Sequence, residues 1–260
     1  MRRDAKSIGG RRPSGEPGSG FTLVELLVVI AVLALLLAVM VPSLQRARKY
    51  AKSVACQSNL RQWSLLVEMY LADHDRQFWP GAPRHQWIWQ FERYRTDYQG
   101  FALCPMATKY EPNNPAFSTW QVAYGPPISQ TVRLSYGINE WLSSPPYSLQ
   151  PDHYWGTSEV TGAARIPVLL DCPWVEVRPF DWAPCPQSQF EVINGGSMCI
   201  DRHSGGVNVL LMDWSVRKAG IKELWTFKWS RKFDTAGKWT RAGGVRPEDW
   251  PKWMRGFKDY

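Results

Sequence analysis

Residues Gly20 to Val41 read GFTLVELLVVIAVLALLLAVMV, and from Phe21 onward the single charge is Glu25. As a helix rising about 1.5 Å per residue, this run is about 30 Å long, the thickness of a bilayer's apolar core. It exceeds the roughly 7–15 apolar residues of a secretory signal, and no small-residue cleavage site follows it. Arg2, Arg3, Lys6, Arg11 and Arg12 precede it against Asp4 and Glu16, which points to a cytoplasmic N-terminus. Arg46, Arg48, Lys49 and Lys52 lie past the other end and pull the opposite way. The leader weighs more, because the first flank usually dominates.

Glu25 is the most informative residue of the run. A carboxylate in an apolar helix is costly unless it is paired, and no Lys or Arg lies within helical reach inside the span. One reading is a first-turn side chain that snorkels to the interface. The other is an ion pair with a free amine on Phe21, which a cut after Gly20 would create. The amine of a neighbouring subunit would serve as well and would set the register of an assembly.

The chain has 260 residues, a net charge of +8, five cysteines and 15 Trp. Its 44% hydrophobic and 21% charged residues exclude a wholly disordered chain, and the cysteine count excludes a disulfide-dense miniprotein. A mean hydropathy of −0.35 excludes a multi-span membrane protein. The charge is uneven: +3 over residues 1–20, −2 over 21–216 and +7 over 217–260. The basic balance is therefore a leader and a tail around a nearly neutral middle.

Past Pro42, residues 43–73 contain no Gly or Pro, and Leu60, Trp63, Val67, Tyr70 and Leu71 form one stripe at helical spacing. The spacing predicts a helix that leaves the membrane, packs under a head and stops near Asp73-His74-Asp75. Beyond it, Pro and Gly punctuate short β-like runs at Val132–Tyr136, Val168–Asp171 and Val207–Met212, the last forming a hairpin with Ser215–Lys218 through Asp213-Trp214. The stretches 76–130 and 140–165 read as mostly irregular. The expected fold is α+β, with a long N-terminal helix, half membrane-spanning and half amphipathic, and then a small antiparallel sheet with long loops. The expected divisions are a leader over 1–20, an apolar helix over 21–42, a stalk over 43–75, a head over 76–218 and a Trp-rich basic extension over 219–260.

The stretch Gly20-Phe21-Thr22-Leu23-Val24-Glu25, between a basic leader and an unbroken apolar run, resembles the processing site of type IV prepilins and type II secretion pseudopilins. The resemblance implies a pilin-like fold, cleavage after Gly20 by a prepilin peptidase and methylation of the Phe21 amine. It implies no enzymatic activity and no obligatory cofactor. Implied partners are other pilin or pseudopilin subunits and the inner-membrane secretion or pilus assembly machinery, with the head periplasmic or at the cell surface. Pro42 sits where these proteins often carry a helix-kinking proline. A second set, Cys56-Gln57-Ser58-Asn59-Leu60-Arg61-Gln62, Cys104-Pro105, Ser135-Tyr136-Gly137-Ile138-Asn139 and Asp171, resembles a large bacterial prepilin-like family whose head carries His, nine residues, then Asp-Gly. Here His203 precedes Asp213 by that interval, and Trp214 replaces the Gly that would suit a positive φ, which implies a different turn.

Asp171, Asp201, His203 and Asp213 are candidates for a metal site at one end of the sheet. Some pseudopilin heads hold Ca2+, which takes oxygen ligands, whereas a neutral His suits zinc better. Against metal, Asp213 would cap the hairpin turn and His203 would bond the backbone. Of the head cysteines Cys104, Cys172, Cys185 and Cys199, none forms a C-x-x-C pair, which argues against zinc. Outside the cytoplasm they could form disulfides, with Cys172 and Cys185 closest in sequence. Cys56 reads as a buried thiol. A hydrolase would need Ser204 or Cys199 with His203, and no nucleophile elbow, zinc-protease helix or phosphate loop is present. In the tail, Trp225, Trp229, Trp239, Trp250 and Trp253 stand among twelve basic residues. That mixture suits single-stranded nucleic acid, anionic lipid or polysaccharide. The alternative is a helix, spaced by Ile221, Leu224, Trp225, Trp229 and Phe233, that packs its Trp face on the head.

Overall fold

The unbroken run of helix formers folds as one helix, α1, over Leu23–Asp73. The computed structural model describes residues 21–80, 86–91, 94, 100–111, 113–123, 131–143, 150–189, 191 and 198–260; the leader, with Gly20, lies outside the described residues. The chain divides into two units, Met1–Arg46 and Ala47–Tyr260. In the first, the large apolar side chains along residues 23–41 are 48–87% exposed, as expected of a helix whose solvent is lipid or another helix. Pro42 lies inside the helix and supplies no backbone donor to the carbonyl one turn earlier.

In the second unit the helix turns amphipathic. Ser53, Cys56, Leu60, Trp63, Ser64, Leu66, Val67, Tyr70 and Leu71 are buried, at the three- and four-residue spacing the sequence predicts. The stop is a Schellman-type closure: Asp75 sits at φ 50°, and the Arg76 amide donates to the Leu71 carbonyl at 2.8 Å.

The sheets follow. Strands β1 (Trp120–Ala123) and β2 (Thr131–Leu134) form an antiparallel pair. Strands β3 (Tyr136–Asn139), β4 (Pro167–Asp171), β5 (Glu176–Val177), β6 (Gly206–Leu211) and β7 (Val216–Gly220) form a sheet in the order β5-β3-β4-β6-β7. All its pairings are antiparallel except that of β3 with the edge strand β5. The single strand expected at Val132–Tyr136 is two, broken at Ser135. Strand β1 and a short helix, α2 (Gln86–Gln90), fall in the stretch read as irregular.

β6 is buried along its whole length, and its two faces meet different partners. Leu210 and Asn208 face α1: Leu210 joins the cluster of Leu60, Trp63 and Val67, and Asn208 bonds Ser53 and Gln57. Val207, Val209 and Leu211 join a second cluster with Ile221, Leu224, Trp225, Trp229, Phe233 and Trp250. The sheet therefore lies between the stalk part of α1 and the C-terminal tail. This explains why its central strands read as continuous apolar runs rather than as alternating ones.

The tail buries its aromatics without the expected α-helix. A 3-10 helix covers Lys222–Thr226, and turns follow. No Gly or Pro lies between Ile221 and Ala236, yet Phe227 turns extended at φ −76° and ψ 151°, and the tail backbone bonds outward instead. The Lys228 amide donates to the Arg165 carbonyl at 2.8 Å, and the Arg231 amide to the His153 carbonyl at 2.9 Å. Trp229 and Trp250 are 0% and 1% exposed.

The β6–β7 hairpin turns through Met212-Asp213-Trp214. Leu211 bonds Ser215 at 2.9 Å, and Trp214 adopts φ 66°. The turn thus keeps the positive φ that a Gly would suit, and Trp214 does not impose a different one. Its half-buried ring packs on the helix-side core.

Candidate functional site

Two places in the chain gather chemistry. The first is the start of α1. Thr22 precedes the first helical residue, and its amide and hydroxyl donate to Glu25 Oε2 at 2.9 and 2.8 Å. The Glu25 amide donates back to Thr22 Oγ1 at 3.2 Å. This reciprocal pattern is a capping box. Its signal, Thr-x-x-Glu before an apolar run, is local and stands in the sequence at Thr22 and Glu25, a role for Thr22 beyond the motif itself. The cap holds the Glu25 carboxylate one residue from Phe21.

The second place is a buried cluster inside the head, on the α1 side of the sheet. Cys56 comes from α1, Asp171 from the end of β4, His203 from the loop before β6, and Cys104 from the loop after α2. Their ligand-capable atoms, two Sγ, one imidazole nitrogen and one carboxylate oxygen, all lie within 4.8 Å of one another, and all four residues are buried. His203 Nε2 is 3.0 Å from Asp171 Oδ2 and 3.4 Å from Cys104 Sγ. Cys56 Sγ lies 3.4 Å from Asp171 Oδ1 and 3.6 Å from Oδ2. The Tyr136 hydroxyl donates to Cys56 Sγ at 3.4 Å. His203 Nδ1 is buried with no hydrogen-bond partner among the described residues.

Neighbouring residues fix this cluster. The Asn208 amide donates to Asp171 Oδ2 at 2.8 Å. Arg202, with a fully buried side chain, pairs with Asp171 Oδ1 at 3.1 Å. It also donates to the carbonyls of Ala116 (2.6 Å), Ser118 (3.1 Å) and Ser135. The Ser135 hydroxyl accepts from the Cys104 amide at 2.6 Å, and Asn59 donates to the Leu103 carbonyl at 2.8 Å, so the loop bearing Cys104 is held from two sides. Asn139 donates to the carbonyls of Pro167 and Trp229, both at 2.9 Å. At Gly137 a Cβ would stand 2.8 Å from Cys172 Cβ and 2.7 Å from the Trp174 carbonyl oxygen, so the close approach of these neighbours requires Gly. The scattered motif residues Cys56, Asn59, Cys104, Ser135, Tyr136, Gly137, Asn139, Asp171 and His203 thus build or border one network.

The electrostatics follow from burial and pairing. Burial opposes ionisation of Asp171, but His203, Arg202 and the Asn208 amide together bring its carboxyl to about 2. Burial opposes protonation of His203, yet Asp171 and Cys104 raise it to about 9. Burial pushes the Cys104 thiol up, and hydrogen bonds from Cys56 and His203, with the Arg202 charge, bring it down to about 7. Burial, with Cys104 and Asp171 nearby, pushes the Cys56 thiol well up. A Cys–His pair exists, but with Cys104 and not Cys199. With Cys104 at 0% and His203 at 5% exposure, it presents no nucleophile to a substrate.

Of the four residues expected to share a metal, the fold joins Asp171 and His203. Asp213 is exposed, and its carboxylate accepts from the Ser215 amide and hydroxyl in the hairpin turn at 3.0 and 2.6 Å. Asp201 accepts from the Gly205 amide. Cys56 and Cys104 take the places these two do not fill, brought in from segments too distant in sequence for a local ligand spacing to show. Cys172, Cys185 and Cys199 are buried in the tail-side cluster as thiols, and Cys172 Sγ accepts from the Trp174 amide at 3.3 Å. Burial pushes Cys185 up to about 12. The tail's Trp225, Trp229 and Trp250 are buried, and Trp239 and Trp253 are half-buried with indole nitrogens bonded to the Ala183 and Pro186 carbonyls. Of the two readings of the tail, these positions match the one in which its Trp rings pack on the head.

Residues 19–41 match the family model described as the prokaryotic N-terminal methylation motif. The chain is similar to the type IV wide pilus major component PilA4 of Thermus thermophilus, 45% identical over 56 residues, which is 22% of this chain and 43% of that protein. It is also similar to competence protein ComGC of Halalkalibacterium halodurans, 34% identical over 58 residues, 22% of this chain and 57% of that one. The chain thus spans about half the length of these relatives. Neither name states an enzymatic activity. No solved structure matches the chain.

Proposed function

We propose that this chain, which carries the N-terminal methylation motif, is a structural prepilin-type subunit and not an enzyme. A prepilin peptidase cuts after Gly20, and the Phe21 amine is methylated. Before the cut the leader lies in the cytoplasm; the helix over 21–42 spans the membrane and the head faces the periplasm or cell surface. The subunit then joins other pilin or pseudopilin subunits in a type IV pilus-like filament or a type II secretion pseudopilus.

One observation carries this reading: an exposed apolar helix long enough to cross a membrane, with a lone carboxylate in its first turn, inside the matched motif. In lipid that carboxylate needs a positive partner. Cleavage supplies one, since it creates a free amine at Phe21, next to the Thr22 cap. Glu25 neutralises that amine in its own chain or in a neighbour. The measurement is the mass of the mature N-terminus together with assembly of Glu25→Val. A methylated N-terminus at Phe21 is expected, with Glu25→Val processed but poorly incorporated into filaments. An intact leader on the mature protein, or normal incorporation of Glu25→Val, would overturn it.

A further inference from the structure

We infer that the head holds one zinc ion, or a divalent ion of similar preference, on Cys56, Cys104, Asp171 and His203. The first argument is donor chemistry. Two thiols and an imidazole are not calcium ligands, which are oxygens. Two sulfurs, one imidazole nitrogen and one carboxylate oxygen make four ligands, each of a type that a tetrahedral zinc site takes.

The second argument is shape. Zinc bonds of about 2.3 Å to sulfur and about 2.0–2.1 Å to nitrogen and oxygen give tetrahedral edges of about 3.3 Å for N–O and about 3.5 Å for S–N and S–O. The corresponding separations are 3.0 Å for His203 Nε2 to Asp171 Oδ2, 3.4 Å for Nε2 to Cys104 Sγ, and 3.4 and 3.6 Å for Cys56 Sγ to the two Asp171 oxygens. Hydrogen bonds alone need pairwise approach. They do not need four donors closed on one point, which the mutual limit of 4.8 Å describes.

The third argument is the surroundings. All hydrogen-bond-range contacts of the His203 ring fall on Nε2, the atom facing the other three donors. Arg202 holds Asp171 Oδ1 and the Asn208 amide holds Oδ2, which orients the carboxylate as an outer-shell partner does. Two thiolates and a carboxylate carry three negative charges, balanced by a divalent ion and the Arg202 guanidinium. The buried site is then neutral. Binding of Zn2+ releases the two thiol protons and the His203 Nε2 proton, which faces Asp171 in the metal-free head, to solvent and changes no oxidation state. The ion would fasten α1 to β4, to the loop before β6 and to the loop bearing Cys104.

The test uses the full chain in detergent, reduced, stripped with a chelator and dialysed against zinc or cobalt(II). One zinc per chain is expected. The cobalt form should show the absorption of a tetrahedral ion with thiolate charge transfer, and X-ray absorption of the zinc form should show two sulfur and two nitrogen or oxygen neighbours. Cys104→Ser should weaken zinc retention beyond the about 10–100-fold that an outer-shell change costs. Asp201→Asn and Asp213→Asn should leave it unchanged. Less than one ion for every several folded wild-type chains, an octahedral cobalt spectrum, or a Cys56–Cys104 disulfide in the isolated protein would overturn the assignment. The wild-type spectra decide the matter even if Cys104→Ser does not fold.

Discussion

Arg202 shows what one buried charge does in this head. Its side chain is fully buried, and its guanidinium faces one carboxylate and three backbone carbonyls. Bringing a charge out of water is costly, so such a group stabilises only if every proton finds an acceptor. Removing the guanidinium strands three carbonyls and leaves the Asp171 carboxylate to His203 and the Asn208 amide, with Oδ1 stripped of its ion pair. Arg202→Met should cost about 3–5 kcal/mol, the range for breaking a buried pair from one side, read by urea unfolding of the full chain in detergent. Arg202→Lys should recover only part of the loss, because an ammonium lacks the planar fork that reaches separate acceptors. A loss below about 1 kcal/mol for Arg202→Met would show that the pair is no more than a surface ion pair in its effect. Glu25 is the contrasting case. Its carboxylate is exposed and capped by Thr22, and the Thr-x-x-Glu pattern that does this is local, so the sequence contains the whole signal.

Locality also separates the elements that can be read from sequence from those that cannot. The helix α1 and its stop are legible because each depends on residues within a turn or two of one another. The β6–β7 hairpin is legible for the same reason. The cluster of Cys56, Cys104, Asp171 and His203 depends on four segments meeting. Asp171 and His203 could be singled out by motif, but the two thiols could not be joined to them. The tail is an intermediate case. Its apolar spacing holds over Ile221, Leu224 and Trp225, but the chain turns extended at Phe227 after one short 3-10 segment, and the amides of Lys228 and Arg231 bond carbonyls elsewhere in the head rather than a preceding turn. Its role follows from the sheet: a five-stranded sheet with α1 on one face must cover the other, and Trp229, Phe233 and Trp250 do so. Fully burying each such ring contributes about 1.5–3 kcal/mol, and losing one costs about 3–5 kcal/mol. Truncation at residue 218 should therefore leave a head that is cleaved rapidly by protease and has lost its near-ultraviolet circular dichroism. A truncated head that keeps both properties would mean that the tail is an appendage, and it would return the basic residues to candidacy as a binding surface.

At the scale of the whole molecule, the buried core and the contiguous run of exposed apolar residues belong to different stretches of the chain. Every buried residue of α1 lies at Ser53 or beyond. The large apolar residues over 21–41 are at least 48% exposed, far more contiguous apolar surface than a water-soluble monomer carries. The two demands on the helix are thus met by separate segments. One is solvated by lipid or by neighbouring helices, and the other closes a core with its own sheet, tail and buried network. A chain lacking residues 1–46 should therefore be water-soluble and monomeric, and should unfold cooperatively within about 5 °C of the full chain, since a shift of that size corresponds to about 1–2 kcal/mol in a domain of this length. Size-exclusion chromatography and thermal unfolding check this, against a full chain that stays with the membrane in high salt and leaves it only in detergent. Aggregation of the shortened chain, or loss of its cooperative transition, would mean that the apolar helix contributes to the folding of the head as well as to anchoring it.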